Sequence, residues 1–324
     1  MTPREIIVSN MEYDCHERIG LNFTTSEAHA NDFTGASCDH EIEIKRWEEG
    51  PFEYYTDIWG NTWHRTKGMS KGGEVCKPVL ADWNDIDSIE LPDLDNPRYF
   101  QRARSLGMND HSRFRVGWMP GWPFAICRYM RKMEIYFVDL VLEREHVDRL
   151  HDRVTRLLEG VIDRYGEAGM DGVMFCEDLG TQDRLLMGPD MWRDIYRPLY
   201  ERLADRAHKY GMKVIQHSCG YNWDLLDDLC ESGIDCLQFD QPLVYDLPAL
   251  ARKLRKHRVG LFSPCDIQQV LPTGDRTLIE YETERLAKTF RGGFVAKNYG
   301  DLHGIGVEPE WDRWAYEVFL RVGT

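Results

Sequence analysis

Gln216-His217-Ser218-Cys219-Gly220 closes the apolar run Met212-Lys213-Val214-Ile215, and its spacing is the first chemical signal in the chain. In an extended segment residues i and i+2 face the same side, so His217 and Cys219 can present an imidazole and a thiolate to one point. Zinc accepts both ligand types in tetrahedral geometry, and a catalytic zinc keeps one position open. A second thiol, Cys265, gives a set of one nitrogen and two sulfurs, with Glu177 or a substrate as fourth ligand. Two thiolates nearly cancel the charge of the metal. Such a site suits holding an alkoxide or thiolate better than polarising a carbonyl. The opposing reading is metal-free, with Cys219 and Cys265 as small apolar fillers, as buried free cysteines often are.

Other chemistry-bearing side chains stand at comparable places, each just past a short apolar run. Glu177 and Asp178 are adjacent, so on an extended chain they point to opposite sides and one of them faces any central pocket. That one is a candidate general acid or base. Asp240, Lys297 and Tyr299 are candidates for substrate contact, Lys297 either neutralising a substrate carboxylate or pairing with Asp301. Asp240 and Asp266 have a plainer reading as caps where a strand turns into a helix. Trp59, Trp118 and Trp122 are candidates for an aromatic pocket wall, with cover packing as the alternative for Trp59 and its neighbours Asp57 and His64.

The elements that must position these residues alternate. Runs of four to six mostly apolar residues at 172–176, 214–217, 236–239, 259–263 and 293–296 read as strands buried on both faces of a parallel sheet. Helical spacing separates them at 190–210, 223–232, 247–257 and 278–290, and 124–165 is helical before them, with Ile135, Val138 and Leu142 as one apolar stripe. Three earlier candidate strands, 19–23, the aromatic segment 54–65 and 114–118, bring the count to eight; residues 29–40 read as a long loop or lid. Eight strand–helix repeats predict a single α/β domain over 1–324, a closed (β/α)8 barrel. Residues 1–110 would supply the first strands, an N-terminal extension and the cover, and 111–324 the regular repeats. In such barrels chemistry sits at the C-terminal strand ends, where Trp118, Trp122, Glu177, Asp178, His217, Cys219, Asp240, Cys265, Lys297 and Tyr299 fall. No Gly-x-Gly-x-x-Gly turn and no Gly-x4-Gly-Lys-Ser/Thr loop supports an open nucleotide-binding sheet.

Composition narrows the partners. With 55 acidic against 40 basic side chains the formal charge is −15, which argues against nucleic acid or an anionic membrane as the main partner. There is no apolar run of about 18 residues and no signal-peptide core at the start, so the expectation is a cytoplasmic protein. Nine cysteines without repeated spacing, an odd number, predict free thiols rather than a disulfide framework.

The set Glu177-Asp178-Leu179-Gly180-Thr181-Gln182, Met187-Gly188-Pro189-Asp190-Met191-Trp192, Arg197-Pro198, His217-Ser218-Cys219-Gly220, Gln241-Pro242, Gln268-Gln269-Val270-Leu271-Pro272-Thr273-Gly274 and Gly292-Gly293-Phe294 resembles the uroporphyrinogen decarboxylase superfamily over roughly 110–324. The resemblance implies the same barrel. It also implies one of two chemistries, a cofactor-free decarboxylation or a zinc-dependent methyl transfer to a corrinoid protein. The decarboxylases carry an arginine-rich N-terminal motif, whereas residues 1–40 here hold only Arg4 and Arg18. The methyltransferase branch uses His-x-Cys plus a distant cysteine on zinc. His217 and Cys219 match the first part; after the last strand, where the branch keeps its distant cysteine, this chain has Lys297-Asn298-Tyr299, and Cys265 is the substitute.

The reading is therefore a zinc-dependent methyltransferase moving a methyl group between a small substrate, for example a methoxylated compound as in O-demethylation, and a corrinoid carried by a separate protein. The superfamily implies a homodimer. The alternatives are a metal-free decarboxylase or lyase acting on a small carboxylated substrate, and a non-catalytic binding barrel.

Overall fold

The computed structural model describes residues 1–25, 28–68 and 72–322. In chain order, α1 (Pro3–Met11) precedes β1 (Gly20–Asn22) and β2 (Phe33–Ser37), followed by β3 (Arg46–Glu49), β4 (Phe52–Thr56), β5 (Thr62–Thr66), β6 (Glu74–Lys77) and α2 (Gln101–Asn109). Then come β7 (Phe114–Trp118), α3 (Pro123–Arg131), α4 (Met133–Leu142), α5 (Arg144–Glu167), β8 (Gly172–Cys176), α6 (Pro189–Ile195), α7 (Arg197–His208) and β9 (Lys213–His217). The last elements are α8 (Leu226–Glu231), β10 (Cys236–Gln238), α9 (Leu247–His257), β11 (Gly260–Ser263), α10 (Arg276–Thr289), β12 (Phe294–Lys297) and α11 (Pro309–Val322).

Eight strands form one parallel sheet in the order β1-β12-β11-β10-β9-β8-β7-β2. Its two ends nearly meet: the Asp32 amide donates to the Leu21 carbonyl at 2.8 Å, the Leu21 amide donates to the Asp32 carboxylate at 2.9 Å, and Arg18 grips that carboxylate with two nitrogens. The result is the expected (β/α)8 barrel, with one strand reassigned. The second wall strand is β2, in the segment read as a loop. Residues 54–65 do form a hairpin, but it belongs to the separate antiparallel sheet β3-β4-β5-β6 inserted between β2 and β7. Phe33-Thr34-Gly35-Ala36-Ser37 carries little β-preference, yet the wall needs a small residue there, since a Cβ on Gly35 would lie 2.9 Å from the Val116 carbonyl oxygen.

Two apolar cores follow from the alternation of strand side chains. Inside the barrel, Phe33, Phe114, Val116, Met174, Ile215, Cys236, Phe262 and Val295 pack on Ile7 and Met11 of α1, which seals the N-terminal end. Asn10 of the same helix is fully buried and tied on both sides, donating to the carbonyls of Ile6 and Arg18 and accepting from the Phe294 amide. The larger core lies between strands and helices. The stripe Ile135, Val138 and Leu142 is not part of it: these residues are exposed, while α4 packs inward through Tyr136, Asp139 and Leu140. That helix is apolar on both sides, so periodicity alone could not choose its buried face. No helix among the described residues is long and apolar enough to cross a membrane.

Candidate metal centre

The phase of each strand fixes what reaches the open, C-terminal mouth. On β8, Met174 points into the barrel, so Cys176 and Asp178 follow it inward and Phe175 and Glu177 point out. On β9, Ile215 points in and brings His217 and Cys219 with it. On β10, Cys236 brings Gln238 and Asp240, and on β12, Val295 brings Lys297 and Tyr299.

Asp178, His217 and Cys219 converge, with one ligand atom from each lying within 4.8 Å of the others. His217 Nε2 is 3.4 Å from the sulfur of Cys219 and 3.7 Å from Asp178 Oδ1. Asp178 Oδ1 also accepts from the Cys219 amide at 2.7 Å, so the loops after β8 and β9 hold each other. Gly220 permits that approach: its φ is +80°, and a Cβ there would sit 2.5 Å from the carbonyl oxygens of Gly180 and Thr181. Ser218, facing the other way, is buried and accepts from the Leu179 amide and the Asn222 side chain.

The imidazole is oriented from behind. Gln238 Nε2 donates to Asp240 Oδ1 at 2.7 Å, which turns its Oε1 toward His217 Nδ1. An amide oxygen can only accept, so Nδ1 carries the proton and Nε2 presents a lone pair to the cluster. Lys297 donates to the same Asp240 oxygen at 2.9 Å, completing a Lys297–Asp240–Gln238–His217 relay. Lys297 therefore pairs with Asp240. Tyr299 stands half-buried near this group, its hydroxyl pKa raised first by burial and then by Asp240 and Cys219.

The donor set fits zinc. Bonds of about 2.0 Å to nitrogen and 2.3 Å to sulfur at a tetrahedral angle place those two atoms about 3.5 Å apart, close to the His217–Cys219 separation. Burial, with Asp178 and Asp240 adding to it, pushes the Cys219 thiol up, so a thiolate there calls for a cation. The cysteine expected as third ligand does not take part. Cys265 lies an odd number of residues beyond the inward Phe262, points into the outer core toward Thr283, and has its thiol pushed up by burial. Asp178 occupies the third corner instead.

Glu177 is also outside the cavity. It is 1% exposed, accepts from Tyr200 OH and from the Ala125 amide, and burial raises its pKa to about 7. It braces the start of α3 rather than facing a ligand. Asp266 caps its loop, accepting from the amides of Gln268, Gln269 and Leu243.

Beside the cluster, a cavity of about 270 Å³ is lined by Trp59, Trp118, Tyr129, Arg128, Cys176 and Asp178 among others. Trp59 reaches it from the turn between β4 and β5, which Asp57 holds by accepting from the amides of Trp59 and Asn61 and from Trp63 Nε1. His64 stacks on Phe52 at the far side of that sheet. Trp122 does not line the cavity; it is fully buried, stacked on Phe175 at 3.9 Å. Two residues that matter here escaped the sequence reading. Gln238 was detectable, sharing alternation with Asp240. Arg128 was not, because a charge on a helix ordinarily reads as a solvated face.

Comparison with known proteins agrees with this frame. The solved structure of a methyltransferase from Methanosarcina mazei superposes with a TM-score of 0.69 at 12% identity, covering 99% of this chain and 98% of that one, which shows a common fold. A glycosylated endo-beta-1,4-xylanase from Gloeophyllum trabeum overlaps more loosely, with a TM-score of 0.42, 11% identity and coverage of 64% and 76%. No curated protein matches the sequence significantly. The profile of the family described as uroporphyrinogen decarboxylase (URO-D) matches residues 67–305, well over half of the chain. The chain belongs to the uroporphyrinogen decarboxylase family.

Proposed function

We propose that the protein is a zinc-dependent methyltransferase that moves a methyl group between a small substrate and a corrinoid held by a separate protein. The observation that carries this reading is the convergence of Asp178, His217 and Cys219 at the mouth of the barrel. Likeness in fold to a methyltransferase over nearly the whole of both chains supports it. These three residues would hold the metal and leave a fourth position facing the cavity. Bound there, zinc would stabilise the substrate oxygen or sulfur as nucleophile or leaving group. Gln238 fixes the tautomer and tilt of His217. Trp59 and Trp118 wall the cavity so that a flat substrate lies against them and water is displaced.

The test is methyl transfer itself. Zinc-loaded protein, reduced free cobalamin and a panel of methoxy, methylthio and methylamino compounds should give methylcobalamin, followed by its absorbance. Zinc bound at one per chain with no methylcobalamin from any member of the panel would remove the methyl-transfer reading and leave the metal site standing.

A metal-free decarboxylase or lyase is the second reading, favoured by the 3.7 Å approach of Asp178 to His217. In that case His217, protonated at Nε2 as well and held there by Asp178, would deliver that proton to the substrate carbanion, and activity would survive exhaustive chelation.

A further inference from the structure

We propose that the cavity takes a monoanionic substrate, a small flat carboxylic acid, and that Arg128 grips its carboxylate. The inference rests on the methyl-transfer reading only for where the reacting atom lies; the anion contact itself needs no metal.

Arg128 is 6% exposed and forms part of the cavity wall. A guanidinium has five N–H donors and no acceptor. Nη1 donates to the backbone carbonyl of Asp178 at 3.3 Å, Nη2 donates to Tyr129 OH at 3.0 Å, and Nε is buried with no partner. Among the described residues no carboxylate lies within ion-pair distance of it, although the buried Glu177 carboxyl feels its charge through space. The neighbouring arginine on the same helix sets the contrast. Arg131, equally buried, donates to the Asp139 carboxylate at 2.8 Å and to the carbonyls of Leu80 and Ala81. A buried cation ordinarily has such a counter-ion, because removing its charge from water is costly. Arg128 has two neutral oxygens and the faces of Phe124 and Tyr129, each ring centre 4.8 Å from its central carbon. The guanidinium thus lines the cavity with no carboxylate in hydrogen-bond contact with it.

The surroundings select among anions. Lys297, at the end of β12, is already paired with Asp240. One guanidinium matches one negative charge, and a dianion would also meet the carboxylate of Asp178. A planar carboxylate suits the guanidinium fork. Arg128 touches the backbone of Asp178, whose side chain belongs to the metal corner, so the carboxylate and the reacting atom occupy the two ends of one short molecule. Trp59, Trp118 and Tyr129 line the space between with aromatic faces.

The experiment is calorimetric titration of metal-stripped protein with two nearly isosteric probes, 4-methoxybenzoate and neutral 4-methoxybenzamide. The benzoate should bind at least about tenfold more tightly, the scale of one charge-assisted hydrogen-bonded contact. Arg128→Gln should abolish that preference and leave the amide affinity unchanged, and Arg128→Lys should keep the charge but lose most of the preference. Should Arg128→Gln fail to fold by circular dichroism, the Lys variant alone decides. Equal affinity of the wild type for both probes, no binding of the benzoate, or an equal loss for both probes in the variants would overturn the proposal. Because the protein carries no metal in this assay, a failed metal reading leaves the result unaffected.

Discussion

His217 Nε2 stands 3.4 Å from the sulfur of Cys219, two residues along the chain, with Asp178 Oδ1 3.7 Å from the same nitrogen. Strand alternation sets the first separation and the crossing of two loops sets the second. Neither depends on the cysteine that the sequence pointed to.

The relationship separates Asp178 from Cys265 by experiment. Asp178→Asn should weaken zinc binding by about 100-fold, at least the upper end of what losing a supporting residue costs. Cys265→Ser should leave zinc affinity within about twofold, since the thiol lies in the outer core. Chelator competition on both variants reads the difference. The opposite order would restore the two-cysteine site.

Gln238 holds the imidazole from behind. Gln238→Leu keeps the size of the side chain and removes its hydrogen bonds. It should lower zinc affinity by about 10- to 100-fold while the fold, followed by circular dichroism, is retained. Unchanged affinity would mean that packing alone orients His217.

The three tryptophans should behave differently. Trp122, stacked on Phe175 and fully buried, should cost about 3–5 kcal/mol of stability on change to Ala. Trp118, 39% exposed at the cavity, should cost less than about 1 kcal/mol in Trp118→Ala and weaken binding of 4-methoxybenzoate. Denaturant unfolding and the probe titration measure the two effects separately.

A pH effect follows from Asp312 on α11, 3% exposed, whose pKa burial raises from 3.8 to about 7. An acid with a raised folded pKa takes up a proton on folding at pH values between its unfolded and folded pKa. This contribution is therefore intact below about pH 4 and is lost as pH rises toward 7, by at most about 4 kcal/mol. Asp312→Asn should flatten the stability profile over that window and leave the protein about 1–3 kcal/mol more stable at pH 8. Denaturant midpoints at about pH 4.5, 6 and 8, which span the window, test it. A variant that falls with pH as steeply as the wild type would contradict the assignment.

The barrel was legible because its later strands are short apolar runs at regular intervals, and His217 and Cys219 were legible as a pair because i and i+2 share a face. What could not be read was the phase. Val173-Met174-Phe175 is apolar on both sides, as a strand buried between core and helices must be. Nothing in the letters says whether Glu177 or Asp178 turns inward, and for the same reason Cys265 could be credited with an inward position that it does not have. The wall strand Phe33–Ser37 was hidden by its small residues, which its neighbours require. Arg128 was hidden because its significance is a missing partner, and only a structure reveals that.

Asp178, His217 and Cys219 are proposed to hold one metal ion at the barrel mouth. Elemental analysis of protein purified without added metal, beside a His217→Ala/Cys219→Ser double variant of equal circular dichroism, tests it most directly. The first should carry about one zinc per chain and the second almost none, as expected when two of three protein ligands are removed. Protein without zinc that also fails to bind it on addition, or zinc retained in full by the double variant, would contradict it.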